Sequence, residues 1–199
     1  MLRKSLIATL IIIPALSGCA ITSGTAPLTV QPVKNVAALP GAENVVVDVR
    51  VKNEKKHKWI GRKKDGLGIS LARIYPKGSI SGTVRDAIEK ELVARGFGAG
   101  SNGHVVVDAT VKELHNAFEM GLVEGEAVAK LNMEAAVLTT GGKEVFSKGI
   151  TAKGETGAML TSGHNAGVAV DRALQAGIKT LFDDPAFIQA LFTAGKESQ

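Results

Sequence analysis

Cysteine is almost missing from this chain: its 199 residues hold one, Cys19. A lone thiol closes no intramolecular disulfide, so any folded body here must be held by its apolar core. Histidine is nearly as scarce, and His57, His104, His115 and His164 fall at no metal-ligand spacing. His104 and His115 flank one predicted strand, and their separation would point them to opposite faces. No serine stands in a nucleophile-elbow pattern. Gly98-x-Gly100-x-x-Gly103 matches the dinucleotide fingerprint by letter, but it follows a helix and leads into a strand. Phosphate cradling needs the reverse order, so the string reads as a turn. The neighbouring carboxylates Glu89 with Glu91, and Glu124 with Glu126, read as solvated faces. No catalytic residue, metal or cofactor is assigned on these grounds. No apolar run reaches the roughly 20 residues of a membrane-spanning helix either.

What is present begins at the N-terminus. Arg3 and Lys4 precede an apolar run from Leu6 to Leu16 that only Thr9 interrupts. The run has the length of a signal-peptide core, and Pro14 disfavours a spanning helix. It ends in Leu16-Ser17-Gly18-Cys19, which is similar to the lipobox of bacterial lipoproteins. That resemblance implies a signal peptide over residues 1–18, cleaved between Gly18 and Cys19. It also implies a diacylglyceryl group on the Cys19 sulfur and an acyl chain on the new amine. Small residues at 17 and 18 suit a narrow protease site, and a thiol is the nucleophile that alkylation needs. Two or three chains, at about 0.8 kcal/mol per buried methylene, exceed the marginal hold of one. Residue 20 is Ala and not Asp. By resemblance to Gram-negative lipoproteins, this implies sorting to the outer membrane, with the domain facing the periplasm.

Residues 19–44 then read as the lipidated cysteine and a flexible tether, with Ser, Thr, Gly and three prolines and no sustained period. Stretched, residues 20–44 would reach about 80 Å at roughly 3.3 Å per residue. A single domain is expected over residues 45–194, followed by a tail at 195–199. Within it "VVVDVRV" (45–51) alternates as a strand. "SGTVRDAIEKELVARG" (81–96) spaces Val84, Ile88 and Leu92 as a helix, with Ser79 or Ser81 as N-cap and Gly96 as stop. Strands are predicted at 104–114, 126–140 and 143–154, the last two joined at Gly141-Gly142. A helix from about His164 to Phe182 and a second, capped by Asp184 and opened by Pro185, complete the pattern. The expected fold class is α+β: a single mixed sheet of about four strands, in β-α-β-β-β-α-α order, with helices on one face. The terminal apolar set Phe182, Phe187, Ile188, Leu191 and Phe192 closes the core or forms an exposed patch.

The run "IEKELVARGFGAGSNGHVVVDATVKEL" (88–114) carries a helix, an Ala94-Arg95-Gly96-Phe97 corner, an Asn102-Gly103 turn and a strand. Together with the lipobox, Asp48-x-Arg50 and the strand order, it resembles the YajG family of bacterial lipoproteins over roughly residues 16 to 190. The resemblance implies location and fold. It brings no catalytic residues or cofactor.

Charge is concentrated. "KNEKKHKWIGRKK" (52–64) has seven Lys or Arg against Glu54 alone. Without residues 1–18 the chain carries 22 basic and 19 acidic side chains, so outside this segment acids outnumber bases. Trp59, the only tryptophan, lies within it. Two readings are open: a solvated mobile loop with Trp59 folded onto the sheet, or a surface for an anionic partner. The candidate residues are Lys55, Lys56, Lys58, Trp59, Arg62, Lys63 and Lys64. The partner would be lipid headgroups, an anionic glycan or an envelope protein; nucleic acid is not expected for an exported chain. The expected role is a non-enzymatic, acyl-anchored binding module. The alternatives are a hydrolytic or lipid-modifying enzyme with a dispersed site, or a structural subunit of an envelope assembly.

Overall fold

The computed structural model describes residues 22–31, 36–64, 68–120, 125–157 and 162–198. The lipobox residues Leu16, Ser17, Gly18 and Cys19 lie outside the described residues. The chain forms a strand at Gly24–Pro27 (β1), a 3-10 turn at Ala42–Asn44, and strands at Val46–Asn53 (β2), Gly61–Lys64 (β3) and Ser70–Lys77 (β4). Helix Ile80–Ala94 (α1) follows, then strands Gly98–Ala99 (β5), Val105–Met120 (β6), Gly125–Thr139 (β7) and Glu144–Gly157 (β8). Helices Gly163–Phe182 (α2) and Pro185–Glu197 (α3) end the fold.

The α+β class stands, but the single sheet of about four strands does not. There are two sheets, one of five strands in the order β5-β2-β6-β7-β8 and one of three in the order β1-β4-β3. The expected crossover is present, because β2 runs parallel to β6, and β6, β7 and β8 form an antiparallel meander. The smaller sheet escaped the sequence pattern for a physical reason. β4 exposes Leu71 on one face and buries Ile74 on the other, so apolar residues fall on both sides and the period of two is blurred.

The helices cover one face of the larger sheet. Val107, Val111, Leu131, Met133, Val137 and Ile150 point inward and are buried. On α2, Ala166, Ala169, Val170, Ala173, Leu174, Ile178 and Leu181 recur at helical spacing and are buried against them. The approach is close because two glycines permit it. A methyl on Gly154 of β8 would run into the α2 backbone at Ala169 and Ala173, and one on Gly177 of α2 would run into Leu131. The terminal set mostly closes the core: Phe182, Phe187 and Leu191 are buried. Ile188 and Phe192 are partly buried and border a shallow groove with Leu39 and Arg95.

The expected caps are present. Ser79 Oγ accepts from the Gly82 amide, and Asp184 accepts from the Ala186 amide ahead of Pro185. α1 ends at Gly96, whose φ of +90° suits glycine. The last turn of α1 holds a buried ion pair between Glu91 and Arg95. The Arg95 guanidinium also lies over the Phe182 ring, 4.5 Å from its centroid. In the Gly98-x-Gly100-x-x-Gly103 string, Gly98 pairs with β2, and Gly103 sits where a side chain would meet the β2 backbone. These glycines serve close backbone approach.

β1 falls inside the stretch read as a tether. Ala26 is fully buried, and the Thr29 amide donates to the Asp171 carboxylate at 2.9 and 3.0 Å. The Thr29 hydroxyl bonds the same carboxylate at 3.1 Å. Burial raises the Asp171 pKa, against the lowering effect of those bonds. Gly163 and Gly167 of α2 let the strand backbone approach closely. Proline and glycine in this stretch thus suit a close-packed edge as well as they would suit a free chain.

Candidate functional site

The basic segment is not one mobile loop. β2 runs through Asn53, the Glu54 amide donates to the Val111 carbonyl, and the chain returns at Ile60, whose carbonyl accepts from the Asn116 amide at 2.6 Å. Residues 54–60 therefore bridge two points on β6 before β3 begins. Between those points β6 has a bulge, its register shifting between Val111 and Glu113. A bulge adds one residue and turns the downstream side chains over. Upstream, Val105, Val107, Ala109 and Val111 are buried; downstream, Leu114 and Asn116 take their place. His115 consequently faces outward, opposite Lys130 of β7.

The bridge lays Trp59 against that outward histidine. The two rings meet edge-on, with centroids 5.6 Å apart and an interplanar angle of 70°. His57 stacks on the indole at 4.8 Å and 13°. The Arg62 guanidinium lies over the same indole, 5.1 Å from the centroid. Lys55 reaches back to donate to the Trp59 carbonyl at 3.2 Å. Lys55, Lys56, His57, Trp59, Glu113 and His115, among others, line a cavity of about 290 Å³.

The electrostatics follow from this crowding. Desolvation pushes the Lys55 ammonium down to about 8, against the raising effect of Glu113. Burial, and then the charges of Lys55, Lys130 and Lys64, hold His115 below its usual value, again opposed by Glu113. This downward shift favours the neutral form of the His115 ring. At the rim Lys112 bonds Glu54 at 2.8 Å and Glu134 at 3.2 Å.

Of the seven residues read as candidates, Lys55, Lys56, Trp59 and Arg62 come together here. Lys58 is exposed on the same bridge. Lys63 turns away to the Thr22 carbonyl at 3.0 Å, and Lys64 donates to the Phe118 carbonyl at 3.4 Å. His57 and His115 join the site although their spacing along the sequence suggested no shared site. His57 lies in the basic segment and could have been included on that ground. His115 could not, because the bulge that aims it leaves no signature in the residue string. Among the described residues no group of three His, Cys, Asp or Glu gathers as a metal site would require. Among those residues, too, no helix is long and apolar enough to cross a membrane.

A protein-family model described as an uncharacterised lipoprotein matches residues 32–191. No curated protein matches the chain in sequence. Among solved structures, a Xanthomonas campestris protein of the family DUF330 is similar, at 11% identity and a TM-score of 0.52. That similarity covers 87% of this chain and 97% of the other, and it speaks to the fold alone. A minor lipoprotein from Acinetobacter baumannii is similar at 8% identity and a TM-score of 0.47, covering 73% of this chain and 95% of its own.

Proposed function

The chain belongs to this lipoprotein family, and from that premise we propose an acyl-anchored envelope module that binds an anionic partner and runs no reaction of its own. The anchor is the acylated Cys19 behind the lipobox, the membrane is the outer membrane, and the domain faces the periplasm. The family's closer identity is YajG, on the residues from 88 to 114 that resemble it.

One observation carries the binding role: cations and ring faces converge at Trp59. Arg62 and His57 cover the indole, His115 meets it edge-on, and Lys55 and Lys56 border the cavity beside it. Aromatic faces with flanking cations suit a ligand that is flat or apolar on one side and anionic on the other. The cavity is large enough for a headgroup or one sugar ring.

The test uses the intact lipoprotein in neutral detergent, with Lys55→Gln, Lys56→Gln and Lys58→Gln combined. Retention is measured on beads carrying phosphatidylglycerol or an acidic glycan, at low and at physiological salt. Each cation near an anionic surface contributes about 1 kcal/mol, so retention at low salt should weaken on the order of a hundredfold. Retention equal to that of the unaltered protein removes the proposal.

A further inference from the structure

We infer that the outer face of β3 and β4 rests on the anionic lipid surface holding the anchor, so that the lipoprotein is oriented on its membrane and not merely tied to it. The inference depends on the proposed acylation of Cys19 and names the partner of the cationic surface around Trp59.

The first support is where the anchor must lie. β1 is parallel to β4, with Gly24 opposite Ile74 and Pro27 opposite Lys77. The chain upstream of Gly24 therefore leaves the sheet at the end where β4 starts. Thr22 marks that direction, because its carbonyl accepts from Lys63, which pairs with Ala72 near the start of β4. Cys19 precedes Gly24 by five residues, a reach of at most about 18 Å. With Gly24 fixed beside Ile74, an acylated Cys19 stands within that reach of the middle of β4, on the side from which β1 enters the sheet.

The second support is what that end presents. Ile69 is 58% exposed and Leu71 37% exposed, two of the three large apolar side chains that face solvent among the described residues. Alternation along β4 sets Leu71, Arg73, Tyr75 and Lys77 on the face turned away from buried Ile74. Arg62 stands directly opposite Arg73 across the β3–β4 pair. Like charges at such a position destabilise a sheet unless an anion lies over them. Arg62, Arg73 and Lys77 stand on this face with no acidic side chain of β3 or β4 among them. Arg62 continues this face to the indole of Trp59. Exposed aliphatics, an aromatic at each flank and a uniform positive charge are what a surface needs to sit at the headgroup boundary. An acidic protein would explain the charge but not the exposure of Ile69 and Leu71 on the side from which β1 enters the sheet.

With Cys19 acylated, a Leu71→Cys or a Val93→Cys chain has one free thiol. Val93, on α1 in the helix layer and 60% exposed, is the control. Each lipoprotein is labelled with an environment-sensitive fluorophore and reconstituted into phosphatidylglycerol vesicles containing nitroxide-headgroup lipid. The label at 71 should be quenched about threefold or more beyond the label at 93, as expected for side chains buried to headgroup depth. Neutral phosphatidylcholine vesicles should narrow the difference. Equal quenching at both positions, with Cys19 acylated by mass spectrometry and the protein retained, overturns the orientation and leaves the anchor intact. An unmodified Cys19 with protein released into buffer overturns the anchor and the orientation with it. Shielding of position 71 only after addition of an acidic protein or glycan assigns the face to that occupant and also overturns the inference.

Discussion

In the five-stranded sheet one face is roofed by α2, whose alanines and glycines bring its backbone almost onto β8. In the three-stranded sheet the corresponding outer face has no roof among the described residues. Leu71, Arg73 and Lys77 of β4 are exposed there, and Arg62 stands opposite Arg73. The larger sheet is built from contacts that only shape complementarity can satisfy. The smaller presents Leu71, Arg73 and Lys77 to solvent. The contrast separates what holds the molecule together from what it offers to its surroundings.

The strongest way to break the contrast is at Gly154, where the expected effect is largest. Gly154→Leu drives a side chain into the α2 backbone at Ala169 and Ala173. It should cost about 3 kcal/mol or more, read as a large fall in the urea midpoint. A midpoint unchanged within error would mean that α2 can lift from β8 freely, and the roof would lose its meaning.

A middle-sized effect is expected at Lys55, between the two sheets. Its ammonium, pushed down to about 8 by desolvation, compares with 10.5 for an unburied lysine. Between those values the unfolded chain holds a proton that the folded chain has released, so stability rises with pH across that window. The same loss of charge weakens attraction for an anion. Melting of the native protein and of Lys55→Gln, compared from neutral pH to 10.5, should show the native protein gaining stability relative to the variant. Parallel curves would mean that Lys55 is as solvated as any surface lysine.

The smallest effect is expected in the unroofed sheet. Arg73→Thr removes one of two like charges facing each other and supplies a good strand former. Its stability should stay within about 0.5 kcal/mol of the native value, on the stabilising side. A loss beyond 1 kcal/mol, set against that scale, would show that Arg73 is structural and would bring the two sheets closer in kind.

Much of the roofed sheet could be read from the residues. The alternation of Val45 to Val51, the helical spacing of Val84, Ile88 and Leu92, and the Asp184-Pro185 start each reflect a local preference that the fold did not override. β1 lacked such a signal, because Gly24–Pro27 is short and its Ala26 is buried by a helix far away in sequence. Lys55, Lys56, Trp59 and Arg62 stood out by charge and by the uniqueness of tryptophan. Their gathering with His115 did not, because it depends on one extra residue in β6.

By itself, then, the order of residues determined the periods, the caps, the class of fold and the place where positive charge accumulates, since each follows from neighbours within a turn or two of the chain. Only the tertiary structure decided that residues 24–27 are a strand against α2 and not free chain. It alone decided that His115 faces outward beneath Trp59, and that β1 enters the smaller sheet from the side where β4 begins. Those outcomes depend on backbones distant in sequence meeting at close range, and no local preference along the chain encodes such a meeting.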